Sequence, residues 1–228
     1  MSSVLTALAK AFGQLGDPAI LRLLAKSFVV TLLALVLLGG LFGAGVYRLM
    51  IWWGVAGSVS VSGFVGALFA ILLGWFLFRV IAVAVLQFFA DEVVMAVEAR
   101  HYPEAARTAR RLPFREDLAN SLSGIGRTLL FNALALPIAL ILVFTAIGPA
   151  IVFLLVNAVL LGRELTDMGW LRHRRDPGAT TPVGPIPRLV LGGVVAGMMF
   201  VPFLNLLAPI IGAAAGTHMV HIGLRNRQ

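Results

Sequence analysis

Along the chain, long uncharged stretches alternate with short basic ones. Thirty-five consecutive residues between Arg127 and Arg163, and 36 between Arg188 and Arg225, contain no Lys, Arg, Asp or Glu. One bilayer crossing takes about 20 apolar residues, and two crossings with a turn take roughly 44. Both runs are therefore long for one crossing and short for two. Each is also interrupted near its middle, the first by Gly148 and Pro149, the second by Pro202, Asn205 and Pro209 within Val201-Pro-Phe-Leu-Asn-Leu-Leu-Ala-Pro209. The pattern predicts two helical hairpins, over 128–162 and 189–222, each entering and leaving on one side. Pro202 and Pro209 are expected to end the two halves of the second hairpin, with Asn205 facing a cavity or a neighbouring subunit. Spacing alone leaves open whether the tips cross the bilayer or stop inside it.

Upstream the pattern is simpler. Val4, Leu5, Leu8, Ala11, Phe12 and Leu15 recur at helical spacing, which predicts a short interfacial helix. Gly16 stops it, and Asp17-Pro18 restarts a helix, with Asp17 as N-cap and Pro18 at the first helical position. Residues 1–26 lack the short apolar core and small-residue cleavage site of a secretory signal. A first transmembrane helix follows over 27–51, with Trp52 and Trp53 as interfacial anchors, and a second over 62–89, interrupted by Arg79. An ionisable group inside a span is a functional candidate by default. Residues 91–127 are the most polar part, divided by Pro103 and Pro113 into short amphipathic helices. A polar loop over 163–188 and a tail over 223–228 complete a single membrane domain.

Composition agrees with this reading. Only 12% of the residues are charged and 60% are hydrophobic, against about 25% charged in soluble domains. The expected fold is all-α and membrane-integral: two long transmembrane helices, two partly penetrating hairpins and short interfacial helices. The absence of cysteine excludes disulfides, thiol catalysis and thiolate-held metals. The net charge of +8 follows from topology rather than from nucleic-acid binding, because 16 of the 18 basic residues lie in 1–26, 91–127, 163–188 and 225–228. The positive-inside rule places all four segments, and both termini, in the cytoplasm. His218 and His221 share a helix face, but no carboxylate or cysteine stands near them in sequence, so no metal site is expected. Asn132, Asn157 and Asn205 are read as interhelical hydrogen-bonding groups or path-lining ones. No phosphate loop, nucleophile elbow or dinucleotide motif is present, and neither an enzyme nor a cofactor is expected.

Four segments, taken in order, resemble a known family. They are Gly16-Asp-Pro-Ala-Ile-Leu-Arg22, Glu98-Ala-Arg-His-Tyr-Pro103, Asn157-Ala-Val-Leu-Leu-Gly-Arg-Glu164 and Val201–Pro209. Together they resemble the CysZ-type sulfate permeases and the etoposide-induced-protein-like membrane proteins. The resemblance implies hairpins that penetrate only part of the bilayer, homo-oligomers in a bacterial-type inner membrane, and transport of a small inorganic anion such as sulfate. It also implies an anion site at Asp17, Pro18, Ala19 and Arg22, matching a Pro-Gly-(Ile/Leu)-Arg-Arg stretch ahead of the first long helix. Here Ala19 stands where that stretch has glycine and Leu21 where it has its first arginine, which removes one charge-assisted donor set. Arg79, Gly148, Pro149, Pro202, Asn205 and Pro209 are the expected pathway or tip residues. A non-transporting membrane scaffold or assembly factor is the alternative from a different class.

Overall fold

The computed structural model describes residues 2–52, 90–110, 112–176, 178–201 and 204–227. Arg79, the second transmembrane helix expected over 62–89, Trp53 and Pro202 lie outside the described residues. Those described are helical, with no strand among them: α1 (Ser2–Gly13), α2 (Pro18–Trp52), α3 (Ala90–His101), α4 (Pro103–Thr108), α5 (Phe114–Ile141), α6 (Gly148–His173), α7 (Pro185–Met198) and α8 (Leu204–Arg225). They fall into two compact units, Met1–Ile20 with Ala90–Gln228, and Leu21–Phe89. In the second unit, α2 leaves Phe28, Leu32, Leu33, Val36, Leu37 and Leu41 exposed.

The punctuation expected from sequence is largely met. Pro18 opens α2 and Pro103 opens α4, where the missing N–H is no loss; Pro113 precedes α5. Gly148 and Pro149 open α6 after a 3₁₀ turn, Leu142–Thr145. The apolar boundary at Arg127 is not a helix boundary, because α5 begins at Phe114 and α6 runs on to His173. Charged residues thus sit on the feet of long helices instead of on separate short ones. Leu118–Thr145, Gly148–His173 and Leu207–Arg225 are long and apolar enough to cross a membrane. By contrast α7 has 14 residues, about 21 Å against about 30 Å of hydrocarbon.

One proline expectation is overturned. Pro137 lies inside α5 and Pro209 inside α8, so Pro209 does not end a half of the second hairpin. A proline removes one hydrogen bond, to the carbonyl four residues earlier. In α8 that carbonyl belongs to Asn205, in the first turn, and the helix continues because its remaining length is packed on nearly every side. The side chains of Asn132 and Asn157 turn back on their own helices, to Thr128 O at 2.8 Å and Phe153 O at 2.9 Å, rather than bridging helices. Asn205 is half-buried, and its side chain hydrogen-bonds no other described residue.

The first unit is organised around α8. Ile210, Ile211, Ala213, Ala214, Ala215, Met219 and Val220 are all buried, because α1, α3, α6 and α7 each pack against it. The apolar stripe of α1 serves this packing: Val4, Ala7, Leu8 and Ala11 are buried, while Leu5 and Phe12 remain outward. Glycines set the closest approaches. A Cβ on Gly162 would lie 1.9 Å from Arg188 O, and one on Gly216 would lie 2.3 Å from Leu165 O. With Ala158 against Gly192 and Gly162 against Arg188, α6 and α7 run antiparallel, which puts both hairpin tips at one end.

The tip of the first hairpin satisfies its own backbone. Thr145 Oγ1 donates to Leu142 O at 2.7 Å and accepts from Gly148 N at 3.0 Å. Ala146 carries the strain of the reversal at φ 60°. Gly148 has no room for a side chain, since a Cβ there would lie 2.4 Å from Thr145 Oγ1 and 2.8 Å from Leu142 O. An unpaired backbone group in an apolar medium is costly, and this arrangement pairs two of the turn's own. Thr145→Val is expected to destabilise the protein by about 1–2 kcal/mol, as the Gly148 N–H and Leu142 C=O lose their partner. Thermal unfolding in detergent measures this; a variant as stable as wild type would show that water or lipid headgroups satisfy the turn instead.

Candidate functional site

At the end of the first unit opposite the tips, polar side chains converge from five segments. Glu98 is their centre. It follows Val93, Val94 and Val97 on the buried face of α3 and is itself fully buried. Its Oε2 accepts from Arg172 Nε at 3.2 Å, and its Oε1 faces His173 Nε2 at 2.7 Å and His221 Nε2 at 3.4 Å. Arg172 and His173 end α6, and His221 comes from α8. One carboxylate therefore ties three helices together. Burial pushes its pKa up, but hydrogen bonds from His173 and His221 and the charges of His173 and Arg172 outweigh this and hold it at about 2.

A second set of contacts extends from the same place. His218 meets Gln14 Nε2 with its Nε2 at 2.5 Å and Tyr102 Oη with its Nδ1 at 2.7 Å. Tyr102 stacks on His221 with ring centroids 4.1 Å apart, and burial pushes its phenol pKa up against the lowering charge of Arg225. His101 lies edge-on to His218 at 5.4 Å and reaches Asp17 at 4.0 Å, while Arg100 pairs with Asp17 at 3.1 Å. Both ring nitrogens of His218 are thus occupied, so the two histidines of the His218-x-x-His221 motif belong to different constellations. No carboxylate stands near this motif in sequence, but the fold supplies one: Glu98 arrives from 123 residues away.

Beside this cluster a basin of about 1030 Å³ opens, lined by Arg127, Arg163, Arg172, Arg174 and Arg188 and by Asp91, Glu164 and Asp167. Asp167 pairs with Arg188 at 2.8 Å and Arg163 at 3.3 Å, and Glu116 with Arg174 at 3.0 Å. Arg127 makes no ion pair with any described residue. Among the described residues, Arg188 Nε and Asn120 Nδ2 belong to side chains that line the basin, but both atoms are themselves buried, without a hydrogen-bond partner.

The residues singled out from sequence fall differently. Asp17 is brought to Arg100 and His101, while Pro18 is exposed, Ala19 half-buried and Arg22 exposed in the second turn of α2. Gly148 and Pro149 are at a hairpin tip, and Asn205 and Pro209 are in α8 near the other tip, far along the chain from the arginine basin. Glu98 was missed as a site residue, because residues 91–127 read as a mostly solvated polar stretch; the signal that could have found it is its helical spacing with Val93, Val94 and Val97.

Apolar helices long enough to cross a bilayer, with charge gathered on a buried cluster and a basin, define an all-helical integral membrane protein. The chain belongs to the family described as Sulfate transporter CysZ/Etoposide-induced protein 2.4, which it matches over residues 7–209. No curated protein and no solved structure matches it.

Proposed function

We propose that this protein is an inner-membrane permease or channel-like protein for a small inorganic anion, with sulfate the first candidate. The observation that carries the reading is the arginine basin: its lining holds five arginines against three carboxylates, and Arg127 makes no ion pair with any described residue. A site built from guanidinium and amide N–H groups suits an oxyanion, which accepts several charge-assisted hydrogen bonds at once. Family membership supports the same class of cargo. The 14-residue α7 supports a second hairpin that penetrates only part of the bilayer, with the basic ends and both termini cytoplasmic and lipid covering the outward faces of α5 and α6. Protein–protein association of several copies in the membrane is part of this proposal.

One observation favours the competing reading, a non-transporting scaffold. Helices α6, α7 and α8 touch backbone to backbone at Gly162, Gly192 and Gly216, so that trio has no room for a path between its members. Labelled-sulfate flux into proteoliposomes separates the two. Wild type is expected to exceed empty vesicles, with Arg127→Ala lowering uptake about tenfold, the loss of one charge-assisted contact. Arg22→Ala tests the helix-start site in the same assay. Absence of flux above empty vesicles would leave the scaffold.

A further inference from the structure

We propose that Glu98, His173 and His221 form a binding site for a borderline divalent transition-metal ion of the zinc type, which clamps α3, α6 and α8 together. One ligand atom from each of the three residues lies within 4.8 Å of the other two, and Glu98 Oε1 faces Nε2 of both histidines. Four-coordinate zinc takes imidazole nitrogen and carboxylate oxygen at about 2.0–2.2 Å, which sets donor-to-donor spacings of about 3.3 Å. The His221–Glu98 separation of 3.4 Å already has that value. The His173–Glu98 separation of 2.7 Å would open by about 0.6 Å to admit the ion.

The donor set also selects the ion. Two imidazoles and one carboxylate suit zinc, cobalt or nickel, and disfavour magnesium and calcium, which take oxygen ligands. The surroundings are those of an outer shell. Arg172 holds the far oxygen, Oε2, at 3.2 Å and so fixes the carboxylate with Oε1 turned to the imidazoles. Its side chain is 20% exposed, so its charge is better screened than the fully buried carboxylate. Tyr102, stacked on His221 at 4.1 Å, fixes that ring's plane. The donor side chains are at most 8% exposed, and with three protein ligands the fourth position of the ion falls to a water molecule. His218 is outside the set because both of its nitrogens are engaged by Gln14 and Tyr102.

The test uses tag-free, chelator-stripped full-length protein in detergent, titrated with Co²⁺ and followed by visible absorption, then challenged with Zn²⁺. One equivalent of Co²⁺ is expected to give a tetrahedral-type spectrum that Zn²⁺ abolishes and Mg²⁺ does not. His173→Gln and His221→Gln are expected to weaken binding by more than the 10–100-fold cost of an outer-shell change, whereas His218→Gln retains it. X-ray absorption of the wild-type Zn²⁺ complex reads the ligands without any variant, and two imidazoles with oxygen donors are expected. Failure of wild type to bind one equivalent overturns the proposal, as does a ligand set without two imidazoles. Binding lost in His218→Gln but kept in His221→Gln overturns it too. None of these outcomes depends on whether the protein carries sulfate.

Discussion

Glu98→Ala is expected to destabilise the protein by about 3–5 kcal/mol, the usual result of removing one partner from a buried ion pair. The carboxylate is fully buried and is the shared acceptor for Arg172, His173 and His221. Its removal leaves several polar groups without an acceptor and disconnects α3 from the ends of α6 and α8. Denaturant or thermal unfolding in detergent, with chelator present, measures the loss; a change below about 1 kcal/mol would show that water replaces the carboxylate. The acid limb of stability gives an independent reading. Glu98 titrates at about 2 in the fold against 4.5 for the ordinary carboxyl. A depressed pKa contributes stability that is fully present above pH 4.5 and is lost as pH falls through 2. At about 1.36 kcal/mol per pH unit this amounts to about 3 kcal/mol. Wild type should therefore lose stability across that window, and Glu98→Ala should lose less there.

Local signals in the sequence carried the fold further than they carried the site. Pro18, Pro103 and the Gly148-Pro149 pair mark helix starts because a proline at a first turn forfeits nothing, and the structure begins helices at each. Pro209 carries the same residue type with a different outcome. Its effect depends on whether neighbouring helices hold the chain straight, and α8 is enclosed by α1, α3, α6 and α7. Asn132 and Asn157 were ambiguous for a related reason: an amide in a helix can always bond its own carbonyl four residues back, and here both do. The Glu98 cluster is non-local in every part. Its histidines are 75 and 123 residues from the carboxylate, so no window of sequence contains the constellation. The burial of Glu98 was readable from Val93, Val94 and Val97, but its partners were not. The basin is likewise a product of packing, since Arg127 and Arg188 look in sequence like the basic ends of two separate apolar runs.

Gly192→Ala is expected to be strongly damaging, and Gly193→Ala beside it nearly silent. A Cβ at position 192 would lie 1.9 Å from Ala158 O and 2.5 Å from Gly162 N, both backbone atoms that no rotamer change can move aside. At position 193 the nearest atom is Ala158 Cβ at 3.7 Å, an ordinary contact. To admit the first methyl group, α7 must separate from α6, opening the contact along its length and shifting Arg188, whose backbone carbonyl is also in contact with Gly162. Overpacking of this kind typically costs 1–3 kcal/mol and occasionally more, and immovable backbone on both sides places it at or above about 3 kcal/mol. The neighbouring substitution instead gains up to about 1 kcal/mol from alanine's better helix propensity. Paired thermal melts in one detergent measure the difference, and equal midpoints would mean that α6 and α7 are held apart at Gly192. Because Arg188 also lines the basin, the proposed transport role predicts that sulfate uptake by Gly192→Ala falls even at temperatures where the variant remains folded. A folded Gly192→Ala protein with wild-type uptake would separate the helix crossing from the proposed anion route.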